Sequence, residues 1–600
     1  MRSLLVRVTL AGLAVWPTAA AGTDETLTLV RLPGTDRADA ARLLAEGFDV
    51  IGPSDDGRGL ALVASAAERA RLRARGLAVE PLARGRPLRA PPGDGGDGAP
   101  DGAVPPGYPT LGEVYGQMLA TADAFPQISR FENLTTSLGT PATEEGRSLF
   151  ALCLSDDVGV AQDEPTALVL CCAHAREVIT PVIALDTIAR LTDGYGTDPR
   201  ITALVDAWEL WIVPVANPDG YVHVLEVDDL WRKNRRVFAE GIGVDLNRNF
   251  PTGWDAPCSG ATSPALATYK GPAPASEAET QTIVALTGRE RFARVLDFHS
   301  AGQEVLWGYA CIAHPFDGWL EAEAAALSAA SGYLGDERRP SAEGEHYEWQ
   351  LARGAYAFLT ETATTFQPTF AQAQAEAALV WPGTLYWLER PTSLSGHVTD
   401  AFSGAPLEAA IALPAETFVN GEAFSTGGPF GRYDLVLPPG THELAVSAPG
   451  HVTRTESVVV TAASEVLIDV ALEPLAVPGT WTDLGAAKAG ALGEPELTGA
   501  GPLAPSTPQT LTLAGAAPEV GATLVFGLDV LLAPLAGGLL VPEPLLTLPL
   551  ATDAGGGLAL PFTLPAGTPA GASLFFQAWI DDEAAAGGLA ASNAVWAVTS

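Results

Sequence analysis

Four short, almost uninterrupted apolar runs, residues 167–172, 210–215, 295–298 and 356–360, constrain this chain more than any other feature in it. They are too short for core helices and lack the polar alternation of a strand with one wet face, so they read as strands buried on both faces. Between them, stretches such as 180–191 and 276–286 have helical spacing. The alternation implies an α/β domain over residues 108–392. It should have a mixed, mostly parallel sheet with helices on both faces and polar chemistry at the strand ends.

The 600 residues exceed what one core organises, so further units are expected. Residues 1–21 read as a signal peptide: Arg2 and Arg7 precede an apolar stretch and the small-residue run Thr18-Ala19-Ala20-Ala21. This predicts export, to the extracellular space or periplasm. Residues 22–83 alternate strand and helix character as a small α+β unit, and 84–107, rich in Pro, Gly and Asp, read as a linker. An exported module tethered this way suggests a pro-segment; the plainer reading is an accessory domain. Beyond 392 helical patterns nearly vanish. Residues 393–475 read as a small β-sandwich with turns such as Pro438-Pro439-Gly440, and 476–600 as a second β domain or a loosely ordered tail.

No run of about 20 apolar residues offers a membrane span. A net charge of −37 opposes nucleic acid and anionic membrane partners by long-range repulsion. Five cysteines leave at least one unpaired, none has CxxC spacing, and Cys171 and Cys172 read as packing thiols. The oligomeric state is not legible.

At the end of the first apolar run stands Cys171-Cys172-Ala173-His174-Ala175-Arg176-Glu177. A His and a Glu three apart on a turn leaving a strand can direct donor atoms to one centre, a geometry Zn²⁺ accepts. Alone this spacing is weak, since it more often marks a solvated helix face. His299 supplies support at the end of a second apolar strand, in Asp297-Phe298-His299-Ser300. Three protein ligands, His174, Glu177 and His299, leave a coordination position open for catalysis.

Further motifs follow in order: Asn217-Pro218-Asp219-Gly220-Tyr221, Trp231-Arg232-Lys233-Asn234-Arg235, Val244-Asp245-Leu246-Asn247-Arg248-Asn249-Phe250 and Phe358-Leu359-Thr360-Glu361. With the ligand candidates, they make residues 108–390 resemble the carboxypeptidase A type of zinc metallocarboxypeptidase. The resemblance implies one Zn²⁺, peptide or protein C-termini as substrates, and an exopeptidase reaction. It assigns Asn247 and Arg248 to gripping the substrate's terminal carboxylate, for which a guanidinium fork is suited. Arg232 would stabilise the oxyanion. Glu361 would be the general base that takes a proton from the attacking water and passes it to the leaving amine. Asp245 would orient His174 from behind, and Arg176 would line the next subsite.

A tyrosine that the family places before the base is missing, and the count lands on Arg339 or Pro340, leaving Arg338, Arg339 or nothing to supply its hydrogen bond. The same count places Tyr347, with Glu348 beside it, where the C-terminal side chain is read. An aromatic there favours apolar residues, an acid Lys or Arg. Residues 394–400 and 435–450 resemble the transthyretin-like regulatory domains that accompany carboxypeptidases. Alternatives are an amidohydrolase of the same fold, a non-catalytic zinc-binding surface protein, and an endopeptidase, which Arg248 disfavours.

Overall fold

The structure is a computed structural model that describes residues 26–54, 56–88, 107–462 and 464–600. The expected signal peptide and most of the linker lie outside the described residues. The first unit is a four-stranded antiparallel sheet in the order Asp49–Pro53, Gly59–Ala64, Thr28–Pro33, Glu80–Arg84. Its helices, Arg37–Ala45 and Ala66–Ala74, each begin at a capping box, on Asp36 and Ser65. Val30, Leu32, Phe48, Leu62 and Leu72 form its core. The strand Asp49–Pro53 escaped the sequence pattern because Gly52 and Pro53 interrupt it, and both are tolerated on a sheet edge.

The linker expected over 84–107 is partly contradicted. Gly85 N donates to Leu27 O at 2.9 Å, Arg86 N to Asp229 Oδ1 at 3.0 Å and Leu88 N to Val224 O at 3.1 Å. Leu88 is buried. Residues 86–88 therefore run along the next domain, because backbone partners and one apolar anchor outweigh a composition rich in Pro and Gly.

That domain is built on an eight-stranded mixed sheet. Its order is Glu337–Arg338, Glu304–Leu306, Tyr356–Thr362, Arg294–Ser300, Thr166–Cys171, Glu209–Val213, Phe150–Leu154, Ser129–Asn133. The four middle strands, which are the four apolar runs, are mutually parallel. Antiparallel pairs flank them. Every residue of Arg294–Ser300 is buried, as a strand covered on both faces requires. The helices Ile179–Gly194, Asp317–Ala330 and Phe370–Glu389 add to one large core.

Residues 394–472 form two small sheets around Leu394, Val398, Ile411, Tyr433, Leu444 and Val458. The last segment is a further β domain with its own core, including Leu497, Leu511, Phe576 and Ile580, and not a loose tail. Cys258 and Cys311 form a disulfide; Cys153, Cys171 and Cys172 are free and buried. Burial pushes the Cys171 and Cys172 thiols well up, which suits packing rather than reactivity. Among the described residues no helix is long and apolar enough to cross a membrane.

Candidate metal centre and substrate cleft

The first two donors stand on a turn that the backbone holds tightly. Cys172 adopts φ +55°, a left-handed conformation costing an L-residue about 1–2 kcal/mol. Its N–H donates to Thr180 Oγ1 at 3.0 Å, and its carbonyl accepts from Asn217 N at 3.1 Å. The Asn217 motif explains itself here. Asn217 Oδ1 caps Gly220 N at 2.9 Å while its Nδ2 donates to Ala173 O at 3.2 Å. A Cβ on Gly220 would lie 2.7 Å from the Ala175 Cβ, so only glycine lets this helix start approach the turn.

His174, Glu177 and His299 are buried, and one ligand atom from each lies within 4.8 Å of the others. His174 Nδ1 is 2.7 Å from Glu177 Oε1 and 3.0 Å from His299 Nδ1. Asp245 Oδ1 stands 3.2 Å from His174 Nε2, so the Nε2 proton is directed to Asp245 and Nδ1 keeps its lone pair. Two imidazole nitrogens facing each other beside a carboxylate ask for a cation. Glu177 Oε2, 3.0 Å from His299 Nδ1 but out of line for a hydrogen bond, is buried without a hydrogen-bond partner. This donor set, two imidazoles and one carboxylate, fits a zinc ion.

Glu361 arrives by register. It pairs with His299 across the parallel strands Arg294–Ser300 and Tyr356–Thr362, which places the two side chains side by side on one sheet face. Burial, and then the Glu177 charge, raise the proton affinity of Glu361, and its Oε2 is buried without a partner. Arg232 donates from Nε (3.0 Å) and Nη2 (2.8 Å) to Asp245 Oδ2. Asp245 is thus shared between His174 and Arg232. Against the opposing effect of burial, the Arg232 guanidinium first, and then the hydrogen bond with His174, hold it well below the usual carboxylate range.

Asn247 and Arg248 lie on the turn Leu246–Arg248. Arg248 Nη1 donates to Asn247 O at 2.6 Å and to Glu345 Oε1 at 2.8 Å, while its Nε is buried without a partner. One cavity gathers His174, Glu177, Arg232, Asn247, Arg248 and Glu361, together with Arg176, Arg338 and Glu345. Of the two substitutes for the missing tyrosine, Arg338 lines this cleft, whereas Arg339 pairs with Asp317 and Tyr309 O. Tyr347 does not line it. The helix His346–Leu351 turns Tyr347 inward, fully buried, with its hydroxyl donating to Gly308 O at 2.9 Å. Glu348 is buried too, accepting from Gly344 N and Glu345 N.

Arg176 is in the cleft but already engaged. Asp49, from the edge strand of the first unit, accepts from its Nη1 and, at 2.8 Å, from its Nη2, and the guanidinium stacks 4.1 Å over Phe366. Against the effect of burial, Arg176 keeps Asp49 ionised below its ordinary range. Leu44, Phe48, Val50 and Ile51 complete that wall of the cavity, whose volume is about 110 Å³. Ligand pockets typically hold roughly 300–1,000 Å³, so the first unit fills the cleft. Gly47, at φ +90°, makes the approach possible: a Cβ there would meet the Ala261 Cβ at 2.6 Å. Nothing local in the sequence marked Asp49, whose partner lies 127 residues away.

Residues 115–378 match the family described as zinc carboxypeptidase, and residues 393–473 that described as carboxypeptidase regulatory-like domain. A zinc carboxypeptidase of Saccharothrix mutabilis subsp. capreolus is 35% identical over 223 residues, 36% of this chain and 49% of that protein. Carboxypeptidase A2 of Rattus norvegicus is 34% identical over 212 residues, 34% of this chain and 48% of that protein. The chain thus spans about half the length of the curated relatives it matches. A solved carboxypeptidase A from Helicoverpa armigera aligns at a TM-score of 0.48 and 21% identity, covering 60% of this chain and 96% of that one. Residues 115–378 are thus similar to the zinc carboxypeptidase family, and residues 393–473 to carboxypeptidase regulatory-like domains.

Proposed function

We propose that the chain is an exported zinc carboxypeptidase that removes C-terminal residues from peptides or proteins, and that its first unit keeps it latent. One observation carries the reading: the His174, Glu177 and His299 donors, the Glu361 carboxylate and the unpartnered Arg248 Nε share one cleft. Zinc held by the three donors would supply Lewis acidity and an acidified water. Arg248 keeps its Nε free of other bonds, which suits a terminal carboxylate. Asn247 lies beside it. Glu361, with its raised proton affinity, takes the proton of the attacking water and delivers it to the leaving amine. Arg232, fixed by Asp245, offers positive charge to the carbonyl oxygen as it becomes an oxyanion. The disulfide Cys258–Cys311 supports an oxidising compartment.

An amidohydrolase acting on uncharged ends would have no use for the Arg248 donor, and a purely metal-binding surface protein none for Glu361. The test is release of C-terminal amino acids from a peptide mixture, after tryptic cleavage at Arg89, with and without a zinc chelator. Release that the chelator stops and zinc restores is expected. Chelator-insensitive release, or none in the presence of zinc, sinks the proposal.

A further inference from the structure

The residues read as the carboxylate grip do not hold themselves. The two side chains lie on a single turn, Leu246–Arg248, and a separate segment reaches across to them. Glu345 Oε1 accepts from Arg248 Nη1 at 2.8 Å, with the side chains 4% and 7% exposed. His346 N donates to Asn247 Oδ1 at 2.8 Å, and Phe250 N to Gly344 O at 3.1 Å. Glu345 Oε2 is buried with no hydrogen-bond partner, so the bond between this carboxylate and Arg248 runs through Oε1 alone.

The segment is anchored on its other side as well. The buried Glu343 accepts at Oε1 from Cys311 N (3.0 Å) and Ile312 N (3.2 Å), and its own N donates to Cys258 O at 3.3 Å. Cys258 and Cys311 are the disulfide partners, so one residue touches both halves of the cross-link. From the β-sandwich, Asn420 Nδ2 donates to Glu343 Oε2 at 3.3 Å. Ala423 N donates to Ala352 O at 2.8 Å, just past the helix His346–Leu351.

We propose that Glu345 is a positioning residue for Arg248, and that residues 343–346, braced by the disulfide and by the β-sandwich loop at 420–423, hold the terminal-carboxylate grip in register. The inference rests on the exopeptidase reading. Tying Nη1 fixes the plane of the guanidinium and so aims the remaining Nε and Nη2 edge, the one that binds a carboxylate bidentately. A competing effect has the opposite sign. Glu345 also places negative charge near the incoming carboxylate, and removing it would tighten binding if repulsion outweighed positioning. Positioning wins where the pair is this buried, because an arginine stripped of its partner is left as an unpaired charge and seeks another one.

The experiment uses the full chain, cleaved at Arg89, with zinc bound. It measures kcat, KM and inhibition by a product amino acid on peptides ending in Phe and in Lys. For Glu345→Gln, KM and the inhibition constant should rise about tenfold on both substrates while kcat changes less than about threefold. Glu345→Asp, which keeps the charge, should recover part of the loss. Asn420→Asp sets a second carboxylate beside Glu343 and should raise KM in the same direction, by about two- to threefold. An unchanged or lowered KM in Glu345→Gln overturns the proposal, as does a loss confined to kcat or to one C-terminal residue. An unchanged KM in Asn420→Asp overturns the bracing by the β-sandwich. Should Glu345→Gln fail to fold, Glu345→Asp is judged by the same split, with a KM equal to wild type counting against. Wild-type protein without activity would instead defeat the exopeptidase reading itself.

Discussion

Two carboxylates, Glu177 and Glu361, share one buried site and are driven in opposite directions. For Glu177 burial favours the neutral form, but His174 and His299 outweigh it and hold the group ionised, as a ligand must be. For Glu361 burial and the Glu177 charge act together and raise its proton affinity, as a group that must carry a proton requires. Replacing Glu361 by Gln removes the proton acceptor and leaves the three donors in place. We expect kcat/KM to fall by about 10²–10⁴ while zinc content, measured by metal analysis, stays at one per chain. Loss of the metal in Glu361→Gln would contradict the assignment of Glu361 as base. His299 and Glu361 were legible as candidates because each stands at the end of an apolar strand, and His174 and Glu177 because their spacing falls on the turn that follows one. Asp49 and Glu345 were not, since what they do depends on arginines 127 and 97 residues away.

At the scale of elements, the apolar strands were legible because burial on both faces leaves an unbroken hydrophobic signature. The short outer strands Glu304–Leu306 and Glu337–Arg338 have no such signature, being held by pairing with neighbours already in the sheet. That Tyr347 lies off the cleft was not legible, for a related reason: counting residues gives position along the chain but not the inward face of the helix His346–Leu351. The helix Ala278–Glu290 carries a testable electrostatic cost. Glu279 is buried in its first turn, and burial pushes its proton affinity up to about 8 from an ordinary 4.5, with Asp219 and Glu277 adding to the shift. Its Oε1 has no hydrogen-bond partner. The folded state therefore keeps a proton that the unfolded chain releases, so stability falls as pH rises from about 4.5 to about 8, by roughly 1.4 kcal/mol per pH unit at most. Glu279→Gln should remove that slope. Calorimetric melting of the two proteins should give similar values near pH 5 and a higher one for the variant near pH 8. Parallel curves across that range would show that Glu279 is ionised in the folded protein.

Across the whole molecule, the first unit and the domain that follows it have separate cores, yet they meet at the candidate site. The contact is an edge strand, whose exposed side chains are free to serve a neighbour. The Asp49–Arg176 pair is nearly solvent-free, with side chains 7% and 2% exposed. In such a setting, removing one partner of a buried pair costs about 3–5 kcal/mol, because the other charge is left unpaired. Asp49→Asn therefore penalises the closed arrangement and leaves every residue of the proposed machinery intact. It should raise peptide hydrolysis by the uncleaved chain at least about tenfold over uncleaved wild type, since roughly 1.4 kcal/mol corresponds to a factor of ten. After cleavage at Arg89 and removal of the first unit, variant and wild type should have equal kcat/KM, because residue 49 is then gone from both. Uncleaved wild type as active as the cleaved protein would defeat the latency proposal. Equal activity of uncleaved variant and wild type would instead shift the weight of closure from the ion pair to Phe48 and Ile51, which fill the same wall of the cleft.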